Sequence, residues 1–439
     1  MVPQVLRPSV FARSPLARRM ASGAGAYGYA QAVSIGTQLV ALPLFLHYWD
    51  MATYGYWLAL SALPFYLSMA DAGISHASSN RMIDLIAQGE HARAAEVFQS
   101  AVAFLLGVCA LALLLVGGTL WLLPAGTLQA PHWKPVLMVL SVSTVFGLFC
   151  SLAEVVYKAT GGYAAGTYLV TTGRLVDWSG GLVGLVLTRS FIGVAASALA
   201  ARATYTVLCV ALSQRRTDFI RWGVRRASWT DVRATAGPGM LFLSLSLTNA
   251  LSLQGFTLLV AATLGPAATA VFNTYRTVAR VVVQVTNALS NPLWPELTAL
   301  KGQKDESAFW QLYRRANRLG LLIAAAGALL VYFVSPYLLE VWTHGQIPFT
   351  ATSMALFLLY AAVCSATQVP RVVLMSINRH GGLAGQSLLA AALSLGLAWL
   401  VWRQAGMAGV VGAMVLGEAL VWLTATRAAR RLKAQEAAA

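Results

Sequence analysis

One apolar segment follows another along this chain. Twelve of them, near 24–48, 52–78, 97–123, 134–158, 163–187, 190–213, 237–264, 267–297, 317–340, 350–377, 381–402 and 407–428, reach the roughly 20 mostly apolar residues a membrane-spanning helix needs. A mean hydropathy of +0.66 with 58% hydrophobic and 10% charged residues excludes a soluble globular domain, in which about a quarter of residues are charged. A closed barrel also satisfies its backbone in lipid, but its strands alternate polar and apolar residues. Leu111-Ala-Leu-Leu-Leu-Val116 does not alternate. The predicted architecture is all-α and polytopic.

The basic residues orient the spans. With the N-terminus inside, 23 of the 31 Lys and Arg residues fall on inner connections and three (Lys134, Arg189, Arg403) on outer ones. The inner set includes Arg7, Arg13, Arg18, Arg19, Lys304, Arg379 and Lys433, and six arginines between Arg215 and Arg233. This positive-inside bias predicts an even number of spans with both termini cytoplasmic. The net charge of +16 is then largely topological, so it points to anionic membrane lipids rather than to nucleic acid. The predicted organisation is a basic cytoplasmic N-terminus (1–23), a six-span lobe (24–213), a basic inter-lobe linker (214–236), a second six-span lobe (237–428) and a cytoplasmic tail (429–439). The first outer turns of the two halves, Trp49–Trp57 and Leu264–Phe272, are loosely alike. Six spans per half give both halves the same orientation, as in a parallel repeat.

Outer connections are short, and no Walker loop, HExxH, GxSxG or metal-spaced His/Cys cluster occurs. The expectation is no enzyme activity, no cofactor and no metal. Of the six histidines, His47, His132 and His344 lie at outer span ends, where they anchor in the interface. The four cysteines (Cys109, Cys150, Cys209, Cys364) fall inside spans, without disulfide or metal spacing.

Five arginines, Arg174, Arg202, Arg276, Arg280 and Arg371, fall inside spans. Each costs about 2.5–3.5 kcal/mol at a helix centre unless it is paired, wet or snorkelling. Arg174 and Asp177, three apart, can form an ion pair or leave Arg174 to a substrate. Arg202, in mid-span without a local acid, is expected to face a cavity, and Arg371, near an inner end, to snorkel. Arg276 and Arg280, four apart on one helical face, carry like charge that water or an anion must neutralise. Asp71 and Glu418 lack local partners and are candidates for a coupling proton or sodium, or for ion pairs across helices. Glu154 and Lys158 are spaced for a helical pair.

The stretch from Gly25 to Pro43, Tyr54-Gly-Tyr-Trp-Leu58, Met69-Ala-Asp-Ala-Gly-Ile74 and Asn80-Arg-Met82 resemble the first two helices of polysaccharide flippases of the multidrug/oligosaccharidyl-lipid/polysaccharide exporter superfamily. Leu264–Asn273, Arg276, Arg280 and Asn291-Pro-Leu-Trp-Pro-Glu296 resemble that family's seventh and eighth helices and the following inner loop. The resemblance implies a two-lobed, ion-coupled, alternating-access transporter in the bacterial inner membrane. Its cargo would be a polyprenyl-diphosphate-linked oligosaccharide for O-antigen, exopolysaccharide or capsule synthesis. The substrate site would hold Arg276, Arg280, Arg202 and Arg174, with Asp71, Glu418 and Asp177 available for ion coupling. A polymerase or glycosyltransferase is the expected protein partner. The alternatives are a cation-coupled multidrug exporter of the same superfamily and a non-transporting partner of a polysaccharide synthase. The drug exporters carry an acid within the first helix, whereas the first span here has none before Asp50 at its outer end.

Overall fold

The computed structural model describes residues 15–71, 73–128, 130–290, 293–302, 305–376 and 381–438. Arg7, Arg13, Lys304, Arg379 and the Asn291-Pro292 step lie outside them. The described residues fold into helices, joined by turns, without a strand. In chain order these are α1 (Pro15–Tyr48), α2 (Met51–Leu67), α3 (Ile74–Ala87), α4 (His91–Leu122), α5 (Trp133–Ala159), α6 (Tyr163–Thr188) and α7 (Phe191–Gln214). There follow α8 (Trp229–Ala250), α9 (Phe256–Thr263), α10 (Pro266–Ser290), α11 (Leu293–Gly302), α12 (Glu306–Thr343), α13 (Ala351–Ser376) and α14 (Gly381–Ala438).

Each of the twelve apolar segments maps onto this helical series. Among the described residues, seven helices are long and apolar enough to cross a membrane unaided. The difference has physical causes. The second segment breaks into α2 and α3 at a 3₁₀ turn, Ser68–Asp71. The seventh is interrupted by a π-helical turn, Leu251–Gly255, between α8 and α9. Helices α6 and α10 carry charged and polar residues on one side. The eleventh and twelfth run together as α14, bent at Gly406 (φ 54°, ψ −138°). Only glycine adopts that backbone without strain, so these two segments are joined by a single residue's bend rather than a loop.

The chain groups into two compact units, residues 1–41 with 64–243 and residues 42–63 with 244–439. In the first unit α6 and α7 pack closely through small residues. A Cβ at Gly184 would lie 1.9 Å from Ser197 Oγ and 2.4 Å from the Gly193 carbonyl oxygen, and one at Gly180 would lie 2.5 Å from Ala201 Cβ. Gly180 and Gly184 facing Gly193, Ser197 and Ala201 make the small-residue seam on which helices associate in lipid, where close van der Waals contact replaces the hydrophobic drive. Gly184→Leu should therefore cost about 1–3 kcal/mol or more by overpacking. The check is the thermal stability of the detergent-purified variant, and an unchanged melting temperature would contradict this packing.

The stretch 215–228 is docked on the first unit instead of hanging free. Gln99 on α4 donates to the Arg221 carbonyl (3.2 Å) and accepts from the Arg226 backbone N–H (2.8 Å), while Ser100 Oγ accepts from Ser228 N (2.9 Å). Phe98 and Trp222 meet edge to face at 5.2 Å. Asp231, opening α8, is buried and accepts from Arg81 and Arg93 at 3.3 Å each. Glu154 and Lys158 form the expected pair at 3.1 Å.

In the second unit, Gly55 of α2 lies against the start of α10; a Cβ there would fall 1.7 Å from the Pro266 carbonyl oxygen. The two outer turns that look alike in sequence thus touch. Asp50 caps α2 by accepting from Thr53 N at 2.8 Å, and its bonds with Thr53 hold its carboxyl below the usual carboxylate range.

Candidate functional site

On α13, Tyr360, Cys364, Gln368 and Arg371 succeed one another at steps of four, four and three, so they share one face. That face lines a cleft of ≈ 200 Å³ inside the second unit. Arg276 and Arg280 of α10, Asn249 beside the π turn and Ser252 within it, and Glu418 of α14 complete the polar part of the wall.

Arg276 is 8% exposed. Its guanidinium donates to the Leu253 carbonyl oxygen (2.6 Å), to Thr257 Oγ1 (2.9 Å) and to Asn273 Oδ1, and lies 5.0 Å from the centroid of the Phe272 ring. The Leu253 carbonyl is part of the π turn. A π turn displaces the ordinary i to i+4 ladder and leaves carbonyls open to other donors. Every acceptor on Arg276 is neutral, so its N–H groups are satisfied while its charge is not balanced. Arg280 is half-buried one turn along. Among the described residues, neither Arg280 nor Arg371 makes a hydrogen bond or a close ion pair. Glu418 contacts the Thr367 hydroxyl and acts electrostatically on Arg371 across the cleft. The cleft therefore holds three guanidinium groups against one carboxyl. Arg371, which the sequence placed as a snorkelling residue, lines this wall.

The remaining candidates lie in the first unit. Asp177 does not pair with Arg174, its neighbour three residues away. Its partner is Arg202 of α7, whose guanidinium also donates to the Ser143 carbonyl at 3.3 Å. Arg202, expected from the sequence to face a cavity, is thereby tied to an acid from another helix and a carbonyl. Arg174 is exposed and unpaired among the described residues. Asp71 sits at the α2–α3 break, where its Oδ1 accepts from Ser75 N (3.0 Å) and Ser75 Oγ (2.7 Å). That is a helix-capping arrangement. Cys150 and Cys209 bring their sulfurs to 3.0 Å between α5 and α7, a proximity that spacing along the chain does not reveal.

The arrangement of helices matches solved transporter structures over nearly the whole chain. An inward-facing multidrug resistance MATE family transporter of the MOP superfamily superposes with a TM-score of 0.76 at 13% identity, covering 91% of this chain and 95% of that one. The fold is that of the MATE transporters. A MATE mutant aligns with a TM-score of 0.67 at 12% identity, covering 97% and 98% of the two chains. A mutant of the Vibrio cholerae MATE transporter VcmN aligns at 0.61 with 16% identity and 97% coverage of each chain. No protein-family model matches the chain, and no curated protein matches it in sequence. At these identities the likeness is one of MATE architecture: a multi-pass membrane protein whose solved structural neighbours are transporters and not enzymes.

Proposed function

We propose that this protein is a membrane flippase. Its cargo is an oligosaccharide on a polyprenyl diphosphate, moved by alternating access from the inner to the outer leaflet of the bacterial inner membrane for surface-polysaccharide synthesis. One observation carries this reading: Arg276, Arg280 and Arg371 against a single acid, Glu418, in one cleft of the second unit. Guanidinium groups match phosphate oxygens in geometry and hold their charge at any physiological pH. A site selecting organic cations would need the opposite balance. Neutral polar groups beside the arginines, Asn249, Ser252 and Gln368, suit sugar hydroxyls.

The test is made in cells lacking the gene. Polyprenyl-diphosphate oligosaccharides are extracted and quantified in each leaflet. The expected result is accumulation in the inner leaflet with loss of surface polymer, reversed by the intact gene. The second reading, a cation-coupled multidrug exporter, is favoured by the likeness to the multidrug resistance MATE family transporter that superposes with a TM-score of 0.76. It predicts unchanged lipid intermediates and altered tolerance to cationic dyes.

Coupling is assigned to Glu418 in preference to Asp71. Glu418 lies on the wall of the arginine cleft, whereas both bonds recorded for Asp71 serve to start α3. Glu418→Gln should flatten the dependence of transport on pH or sodium. Asp71→Asn should lower protein yield while leaving that dependence intact. Normal ion dependence in Glu418→Gln would move the coupling site elsewhere.

A further inference from the structure

The last turns of α14 carry a second feature that the cleft does not absorb. Ala425, Ala429 and Leu432 face inward, packed with Leu297, Phe309, Val373 and Leu374 of neighbouring helices. The adjoining stripe, Thr424, Ala428, Arg431 and Gln435 with Arg427 beside it, borders a separate groove of ≈ 400 Å³, whose edge Leu432 shares. Its other wall is Leu374 from the end of α13 and Gln386 from the start of α14. Arg427 and Arg431, four apart on this helix, are both exposed, and neither makes a hydrogen bond or ion pair among the described residues. Arg427 lies nine residues beyond Glu418, about 13 Å along the helix, so the groove is distinct from the arginine cleft. It opens at the end of the bundle where the basic residues gather.

We propose that this groove is a binding site for the phosphate headgroup of an anionic membrane lipid. Two guanidinium groups on one helical face match a phosphate diester, which Arg recognises in bidentate fashion. The amide of Gln386 offers a donor to a glycerol or ester oxygen. The leucine and alanine surface beside them accepts the upper acyl chain, which a soluble phosphate lacks. Basic clusters at the end of a spanning helix bind anionic headgroups at about 1 kcal/mol per Lys or Arg through the surface potential alone. A shaped groove adds orientation to that attraction. The site would hold lipid whether the transported cargo is a lipid-linked sugar or a drug.

The experiment uses the full chain in nanodiscs of phosphatidylcholine doped with phosphatidylglycerol. Retained lipid is counted by native mass spectrometry after transfer to detergent. The Arg427→Gln/Arg431→Gln variant should retain about tenfold less phosphatidylglycerol or fewer still. The charge-matched control Arg430→Gln/Lys433→Gln, altered at the same helix end but off the groove, should retain it as the unmodified protein does. Equal losses in both variants would mean a diffuse basic surface and overturn the site. Displacement of the lipid by inorganic phosphate at matched concentration would mean that the apolar wall takes no part, and would overturn the lipid assignment. Equal melting temperatures of the two variants exclude misfolding as the cause of any difference.

Discussion

Arg280→Gln combined with Arg371→Gln should abolish polymer export while leaving the amount of protein in the membrane unchanged. The sequence alone nominates a different pair, Arg276 and Arg280, and the structure explains why that pair is the poorer probe. Arg276 holds the π turn by donating to Leu253, Thr257 and Asn273, so its loss leaves the Thr257 and Asn273 side-chain oxygens short of a donor. Such a group costs about 1–3 kcal/mol in stability, and a transport defect would be confounded with a folding defect. Arg280 and Arg371 line the cleft without a hydrogen bond to protein among the described residues, so their removal chiefly withdraws what they offer to a ligand, besides the charge that Arg371 sets against Glu418. Two charge-assisted hydrogen bonds at about 1.5–3 kcal/mol each correspond to roughly 10²–10⁴ in affinity. Leaflet-resolved lipid analysis and a membrane immunoblot decide the matter. Full export by this variant would remove the anion cleft from the mechanism.

The second large effect concerns Asp177 and Arg202. The pair is half-buried; breaking it from one side leaves an uncompensated charge, which costs about 3–5 kcal/mol where a pair is fully buried and less here. Asp177→Asn and Arg202→Gln should each lower the thermal stability of the purified protein sharply. Asp177→Asn with Arg202→Met should be less damaging than either alone, since neither charge then remains. Full additivity of the two single effects in thermal unfolding would mean the pair is not coupled. A transport defect in the rescued double variant, at normal protein level, would show that the pair also serves the cargo.

The helical segments were legible because length and hydropathy act locally, although among the described residues only seven helices are long and apolar enough to cross a membrane on their own residues. Short breaks were not legible. The π turn at Leu251–Gly255 has no breaker residue beyond an ordinary glycine, and its Leu253 carbonyl takes a donor, Arg276, from another helix. The ion pair of Asp177 spans 25 residues and two helices, so the nearer Arg174 masks the true partner in sequence. Arg371 looked like a snorkelling residue because it lies near a helix end, although Tyr360, Gln368 and Arg371 already marked a polar stripe on an apolar helix. The docking of 215–228 depends on Phe98, Gln99 and Ser100 of a distant helix. Its arginines hid that structure by suggesting only charge.

The π turn also bears on how such a cleft can change over time. An extra residue in a helix rotates everything beyond it by about 100° relative to an uninterrupted helix. Thr248 and Asn249 lie before this phase shift, and Thr257, which holds Arg276, after it. Deleting a single residue within Leu251–Gly255 would restore the regular winding and turn one of these sets away from the other. A whole wall of the cleft would be exchanged in one step without any side chain being replaced. Selectivity here is written in the phase of a helix as much as in its letters, and a lineage changing its cargo has that route open to it besides point substitution.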